Sequence, residues 1–380
     1  MNKRTAMTLL AIILGITLLV GMIGCAKTEA PAPTEIATEA PTEAPTEAPT
    51  EAPTEAPTEA PTEAPTEPED TTIRHPLTGE VLEEEETGRI FAVTINNVSA
   101  ALPHVGVNDA DMFFEMYIND YCTRGLALYT DIGDVEEIGS VRSTRYNFTD
   151  IAQSYGAFVA HAGGSDQVLN DVKKSGIDHK NIDTSSTNTS SGYSFRSNSR
   201  RSSGIGYVHC LMVNGEGLYD WAKDKGYTVE YDEARYYGLS FAEDGKPEGG
   251  EAASSVNIKF KLDGTSKTST MVYDEELGKY VYNEYGKSLK DGNTKEPEAF
   301  TNVFVLRAPC KTQGKYHVYT LEGSGEGYYA NGGQLIPITW HRETTEDTFT
   351  FTLEDGTVLK QGVGNSYIAL VPVASEISWE

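Results

Sequence analysis

The sequence predicts an α+β protein. A mixed α/β amino-terminal domain spans 73–245, with a pure α/β layout as its alternative, and a smaller β-rich domain follows over 254–380. Three observations carry this. Helix-period segments alternate with short apolar runs as far as residue 225. Beyond 241–253 the pattern changes to short alternating strands. The repeat stretch from Pro41 to Asp70 lacks the large apolar side chains that a core requires.

Taken in order, the chain opens on Lys3 and Arg4, an apolar run over 7–23, and Gly24-Cys25. A basic start, an apolar centre and a small residue before the cut describe a secretory leader over 1–24. Met22-Ile23-Gly24-Cys25 is similar to a bacterial lipobox, so cleavage before Cys25 and a diacylglyceryl anchor on its thiol are expected. A retained spanning helix is the alternative, and either outcome places the rest of the chain on the extracellular face of the cytoplasmic membrane. Residues 25–72 are expected to form a disordered stalk, since from Pro41 they repeat PTEA six times and then read PTEP. Recurrent proline fixes φ and removes donors, and the glutamates repel one another. At a polyproline II rise of about 3.1 Å per residue, the 28 residues from Pro41 to Pro68 reach roughly 85 Å.

Within the first domain, 89–96 (RIFAVTIN) reads as a buried strand, 109–117 (DADMFFEMY) as a short helix or a strand, and 125–129 as a strand. Segments 145–153, 168–174 and 215–225 have helical spacing, and 157–160 is a short apolar strand. Residues 185–203 read as a polar loop. The glycine-, proline- and acid-rich stretch 241–253 marks the boundary. After it, strands such as 256–260 (VNIKF), 302–306 and 367–371 recur between Asp-Gly and Asn-Gly turns.

The net charge is −27, of which residues 1–70, with 12 acidic and 3 basic side chains, carry −9. A chain this acidic, without a basic aromatic stripe, excludes nucleic acid as the expected partner. Cys122, Cys210 and Cys310 are too few and too scattered for a disulfide scaffold. Three separate thiols are expected, with one long-range bridge as the rival.

Candidate ligand groups concentrate in 139–165. Arg142 and Arg145 form a potential fork for an oxyanion at a helix start, where free backbone N–H groups also favour negative charge. The alternative is that an arginine braces the fold by pairing with Asp109, Asp111 or Glu115. His161 to Ser165 follows a strand, the place where ligands gather in α/β sheets. Gly163 and Gly164 permit close backbone approach, and Ser165 adds a hydroxyl. No GxSxG elbow is present. The loop 193–209 adds Arg196, Arg200, Arg201 and His209, a concentration of positive charge suited to a polyanion or anionic sugar. His161 and His209 with Asp109 or Asp111 lack the local spacing of a metal site, so neither metal nor cofactor is expected.

Several motifs together resemble one family. They are FAVTINN at 91–97, LPHVGVNDADMFFEMY at 102–117, IGSVRSTRYNF at 138–148, HAGGS at 161–165, GSGEGYYANGG at 323–333 and GNSYIALVP at 364–372. They are similar to the YerB-like bacterial lipoproteins, built from the amino- and carboxy-terminal DUF3048 domains of unknown function. The resemblance implies a secreted, lipid-anchored, two-domain protein and brings no enzymatic activity with it. The reading is therefore a non-enzymatic envelope protein that binds an anionic or glycan wall component or an envelope protein partner. The alternative is a cell-wall hydrolase using His161 with Asp109, Asp111 or Glu115.

Overall fold

A computed structural model describes residues 72–380, apart from 84–87, 120, 184–191, 233–234 and 236. The leader, Cys25, the repeat stalk and the polar stretch 184–191 lie outside the described residues. The architecture is α+β, as expected.

Strand β1 (Phe91–Asn97) is buried at every position, because the sheet it belongs to is covered on both faces. Residues 109–117, ambiguous by period, enter β2 (Met112–Asn119) as a strand, which pairs antiparallel with β3 (Cys122–Tyr129). Gly125 of β3 lies directly under Phe113, whose Cζ stands 2.3 Å from where a Cβ would be, so any side chain there displaces the ring. Helix α1 (Tyr146–Ser154) leads into β4 (Phe158–His161), and α2 (Asp166–Ser175) into β5 (His179–Asn181). Ser165 caps α2 by accepting from the Val168 N–H, and Gly176 closes it at φ 74°. The segment expected as a polar loop contains a short helix, α3 (Asn198–Ser202). Helix α4 (Gly215–Asp224) follows, capped by Asn214.

The carboxy-terminal part is richer in strands. β6 (Ser255–Leu262), β7 (Thr265–Asp274) and β8 (Lys279–Glu284) form the meander of a separate sheet. β9 (Asn302–Ala308), β10 (Gly323–Asn331), β11 (Gln334–Arg342) and β12 (Ser366–Pro372) enter the principal sheet, and β13 (Glu376–Trp379) flanks β6.

The principal sheet has 11 strands; from the edge Glu251–Ala252 its path runs β11, β10, β9, β12, β2, β3, β1, β4 to β5 at the other edge, with Thr350–Thr352 pairing β11 off this path. Its join is the parallel pair β2–β12, in which Met112 faces Ser366 and Met116 faces Leu370. Strands from both sides of 241–253 thus share one sheet and one hydrophobic core. That connecting stretch is itself tied in, with Phe241–Ala242 pairing Gln361–Gly362 and Glu251–Ala252 pairing β11. Cys122, Cys210 and Cys310 are all free thiols.

Candidate functional site

The two-residue period of β3 sends neighbouring side chains to opposite faces of the sheet. Thr123, Asn97 and Glu115 share the face turned to the second sheet, and Arg124, opposite Asn96, takes the other. On Arg124's side, the stretch 139–165 folds back on itself. The Arg142 N–H donates to the Thr94 carbonyl, the Ala162 N–H to that of Arg142, and the Thr144 N–H to that of Gly163. The arginine turn and HAGGS therefore lie side by side at one end of β1 and β4.

Three guanidinium groups meet at this turn. Arg124 Nη1 donates to the Ser143 carbonyl at 2.8 Å, and Arg145 Nη1 reaches the same oxygen at 3.3 Å and that of Thr144 at 2.7 Å. Arg145 also lies over the Tyr316 ring at 4.4 Å. Asn147, exchanging hydrogen bonds with the Tyr319 backbone, holds that hairpin in place. Arg142 makes no side-chain hydrogen bond among the described residues. The Nε atoms of Arg124, Arg142 and Arg145 are buried and unpartnered, and no described carboxylate forms an ion pair with any of them. Burial, together with the charges of Arg145 and Arg142, pushes the Arg124 guanidinium down to about 9. Burial lowers Arg145 as well, with Arg142 adding to it. The start of α1 adds to the positive field, having no acidic residue in its first turn and no side-chain cap.

The remaining expected residues separate into groups. His161 is fully buried; its Nδ1 donates to the Gly163 carbonyl at 2.9 Å, which leaves Nε2 to accept from His179 Nδ1 at 3.2 Å. Burial, and less so His179, lowers it to about 4, so it is neutral at pH 7. Gly163, at φ 76°, donates its N–H to Asn181 Oδ1, and Gly164 packs on Leu169. The Ser165 hydroxyl is engaged in the α2 cap. Arg200 is a brace, giving hydrogen bonds to the carbonyls of Ala101, Pro103 and His209. His209 Nδ1 lies 2.8 Å from Asn96 Nδ2. Arg196 lies 3.7 Å from Asp183 and over the Tyr207 ring at 4.3 Å.

The acidic residues lie elsewhere. Asp111 accepts from Thr130 and stands 3.5 Å from His75, and burial raises it to about 6. Asp109 neighbours Asp291 and Asn293 and is raised chiefly by burial. Glu115 sits in a sealed network with Lys267, Ser269, Tyr282, Glu284 and Tyr367. None of the three pairs with Arg142 or Arg145, and none is hydrogen-bonded to His161. Arg124 and Lys267 are the residues that sequence reasoning missed. Their signal was local: each is a charge at an inward position of a strand, in TRGLALY and in TSKTSTM.

Arg124, Arg142 and Arg145 thus bring three buried Nε donors without a described acceptor to one turn. Among the described residues no group of His, Cys, Asp and Glu is arranged to hold a metal ion, and no helix is long and apolar enough to cross a membrane.

Two family models match the chain, the DUF3048 amino-terminal domain over 77–228 and the DUF3048 carboxy-terminal domain over 256–368, both described as of unknown function. The arginines belong to the first and Tyr316 to the second. The chain is 25% identical over 307 residues to the "Putative lipoprotein YerB" of Bacillus subtilis (strain 168), covering 79% of this chain and 86% of that protein. The crystal structure of Bacillus subtilis YerB shares the fold with a TM-score of 0.67 at 23% identity, covering 80% of this chain and 99% of that one. These matches define a class of two-part proteins without an assigned activity. The chain belongs to the YerB-like DUF3048 family.

Proposed function

We propose that this protein is a non-enzymatic envelope protein, held on the outer face of the cytoplasmic membrane by lipid on Cys25, that binds an anionic ligand between the arginine turn and Arg124. One observation carries the binding reading. In a chain of net charge −27, three guanidiniums converge with buried, unpartnered Nε donors and no described carboxylate to neutralise them. Such donors cost roughly 1–3 kcal/mol each while unsatisfied, and an arriving oxyanion recovers that cost. Met22-Ile23-Gly24-Cys25 supports the anchor, as does the name "Putative lipoprotein YerB" of the Bacillus subtilis relative.

Calorimetric titration with inorganic phosphate tests the site. The expected result is saturable binding by the wild type that weakens more than tenfold when Arg142→Ala and Arg145→Ala are combined. Unchanged affinity in a folded double variant refutes the reading. For the anchor, mass spectrometry of the membrane-extracted protein is expected to find an amino terminus at Cys25 carrying a diacylglyceryl group. An unmodified Cys25 thiol refutes lipidation there.

A further inference from the structure

The anion reading accounts for one centre of charge and leaves a second beside it. After α3 the chain exposes Tyr207 and Val208, 45% and 52% accessible. The Arg196 guanidinium lies over one part of the Tyr207 ring at 4.3 Å, with Arg201 at 5.5 Å, so one aromatic ring holds two cations. Arg196 Nη1 also donates to the Tyr207 carbonyl at 3.1 Å, which fixes its place. This arrangement leaves Arg201 exposed at the rim.

His209 connects the two centres. Its ring is bonded to Asn96, the residue that faces Arg124 across β1 and β3. Burial lowers its pKa first, and the charges of Arg142 and then Arg200 lower it further, so it lies within the field of both. The two centres form one track because Tyr207–His209 is a single turn, so the ring that carries Arg196 and Arg201 lies two residues from the imidazole bonded to Asn96 opposite Arg124. Along this track the described carboxylates are Asp183, 3.7 Å from Arg196, and Glu137, which acts on Arg200. A small anion occupies one centre only, so a ligand that uses both carries repeated charges.

We infer that the ligand is a linear phosphate-bearing polymer, its terminal phosphate held among Arg124, Arg142 and Arg145 and in-chain ones met by Arg201 and Arg196 around Tyr207. This rests on the anion reading of the first centre. Phosphate is favoured over carboxylate there because the terminal phosphate of such a polymer presents three acceptor oxygens to three guanidiniums, one more than a carboxylate offers. The net charge of −27 repels polyanions in general, so binding depends on this local track.

The experiment uses the full chain in detergent, titrated with inorganic phosphate, long-chain linear polyphosphate and polygalacturonate across a salt series. Polyphosphate is expected to bind at least about 100-fold more tightly than inorganic phosphate, because the second contact becomes intramolecular. Its affinity falls linearly with log salt, with a slope set by the number of phosphates neutralised. Arg201→Glu, at an exposed position, is expected to lower polyphosphate affinity about tenfold and to flatten that slope, with an unchanged melting temperature as the folding control. If polyphosphate binds no more tightly than inorganic phosphate, or if the Arg201 variant keeps the full slope, the polymer inference falls and the anion site stands. Equal binding of polygalacturonate overturns the phosphate assignment. If no anion binds, the reading beneath it fails as well.

Discussion

Replacing Lys267 with methionine lowers the unfolding free energy by about 3–5 kcal/mol, the cost of stranding buried charge. Lys267 Nζ is hydrogen-bonded to Glu115 at 2.6 Å, to Ser269 at 2.9 Å and to Glu284, and both glutamate side chains are fully buried. One ammonium cannot offset two carboxylates. Burial acts on Glu115, but Lys267, with Thr123 and Tyr367, outweighs it and holds that carboxyl down to about 2. In Glu284 burial prevails over Lys267, and with the repulsion of Glu115 it raises the carboxyl to about 6. The signs are therefore opposite. Stability from Glu115 is present above its unfolded value of 4.5 and is lost as pH falls through about 2. Stability from Glu284 is present below 4.5 and is lost as pH rises through about 6. Without Lys267 both carboxyls are raised, so the deficit of the variant grows from pH 4 to pH 8. Denaturant midpoints measured across that range check this, and a deficit independent of pH contradicts it.

Arg142→Met has the contrary signature. The Arg142 side chain has no described acceptor and adds its charge to Arg124 and Arg145, whose pKa values it helps to lower. Removing it relieves repulsion, and methionine retains much of the apolar stem. The melting temperature without ligand is expected to hold or rise. The wild type gains about 2.7 kcal/mol at phosphate concentrations of 100 times Kd, and the variant, with about tenfold weaker binding, gains about 1.4 kcal/mol or less at the same concentration. A variant that loses more than about 2 kcal/mol without phosphate, yet still responds to it, marks Arg142 as a structural brace.

Local signals in the sequence located elements well. The spacing over 145–153 became α1, the helix read at 215–225 ends one residue earlier, and 89–96 became β1. Asn214 caps α4 at the start that spacing located, whereas α1 begins without a side-chain cap, so there the apolar spacing alone was informative. Residues 109–117 stayed ambiguous because a strand buried on both faces does not alternate. The partnership of β2 with β12 was not legible, because periodicity carries no record of which strands meet. The candidate site shows the same division. Arg142 and Arg145 were visible as a pair, and HAGGS as a strand end. Arg124, which completes the cluster from a third strand, depends on pairing between Asn96 and Arg124 that only the fold supplies.

The β2–β12 pair also orders events in time. Glu115 of β2 and Tyr367 of β12 are hydrogen-bonded although 252 residues separate them. As the polypeptide is made, β2 is complete while its neighbour does not yet exist. Until the last strands arrive, one edge of β2 stays open to any other extended segment. Closure of the sheet therefore waits for residues 366–372, and contacts of such long sequence separation form slowly.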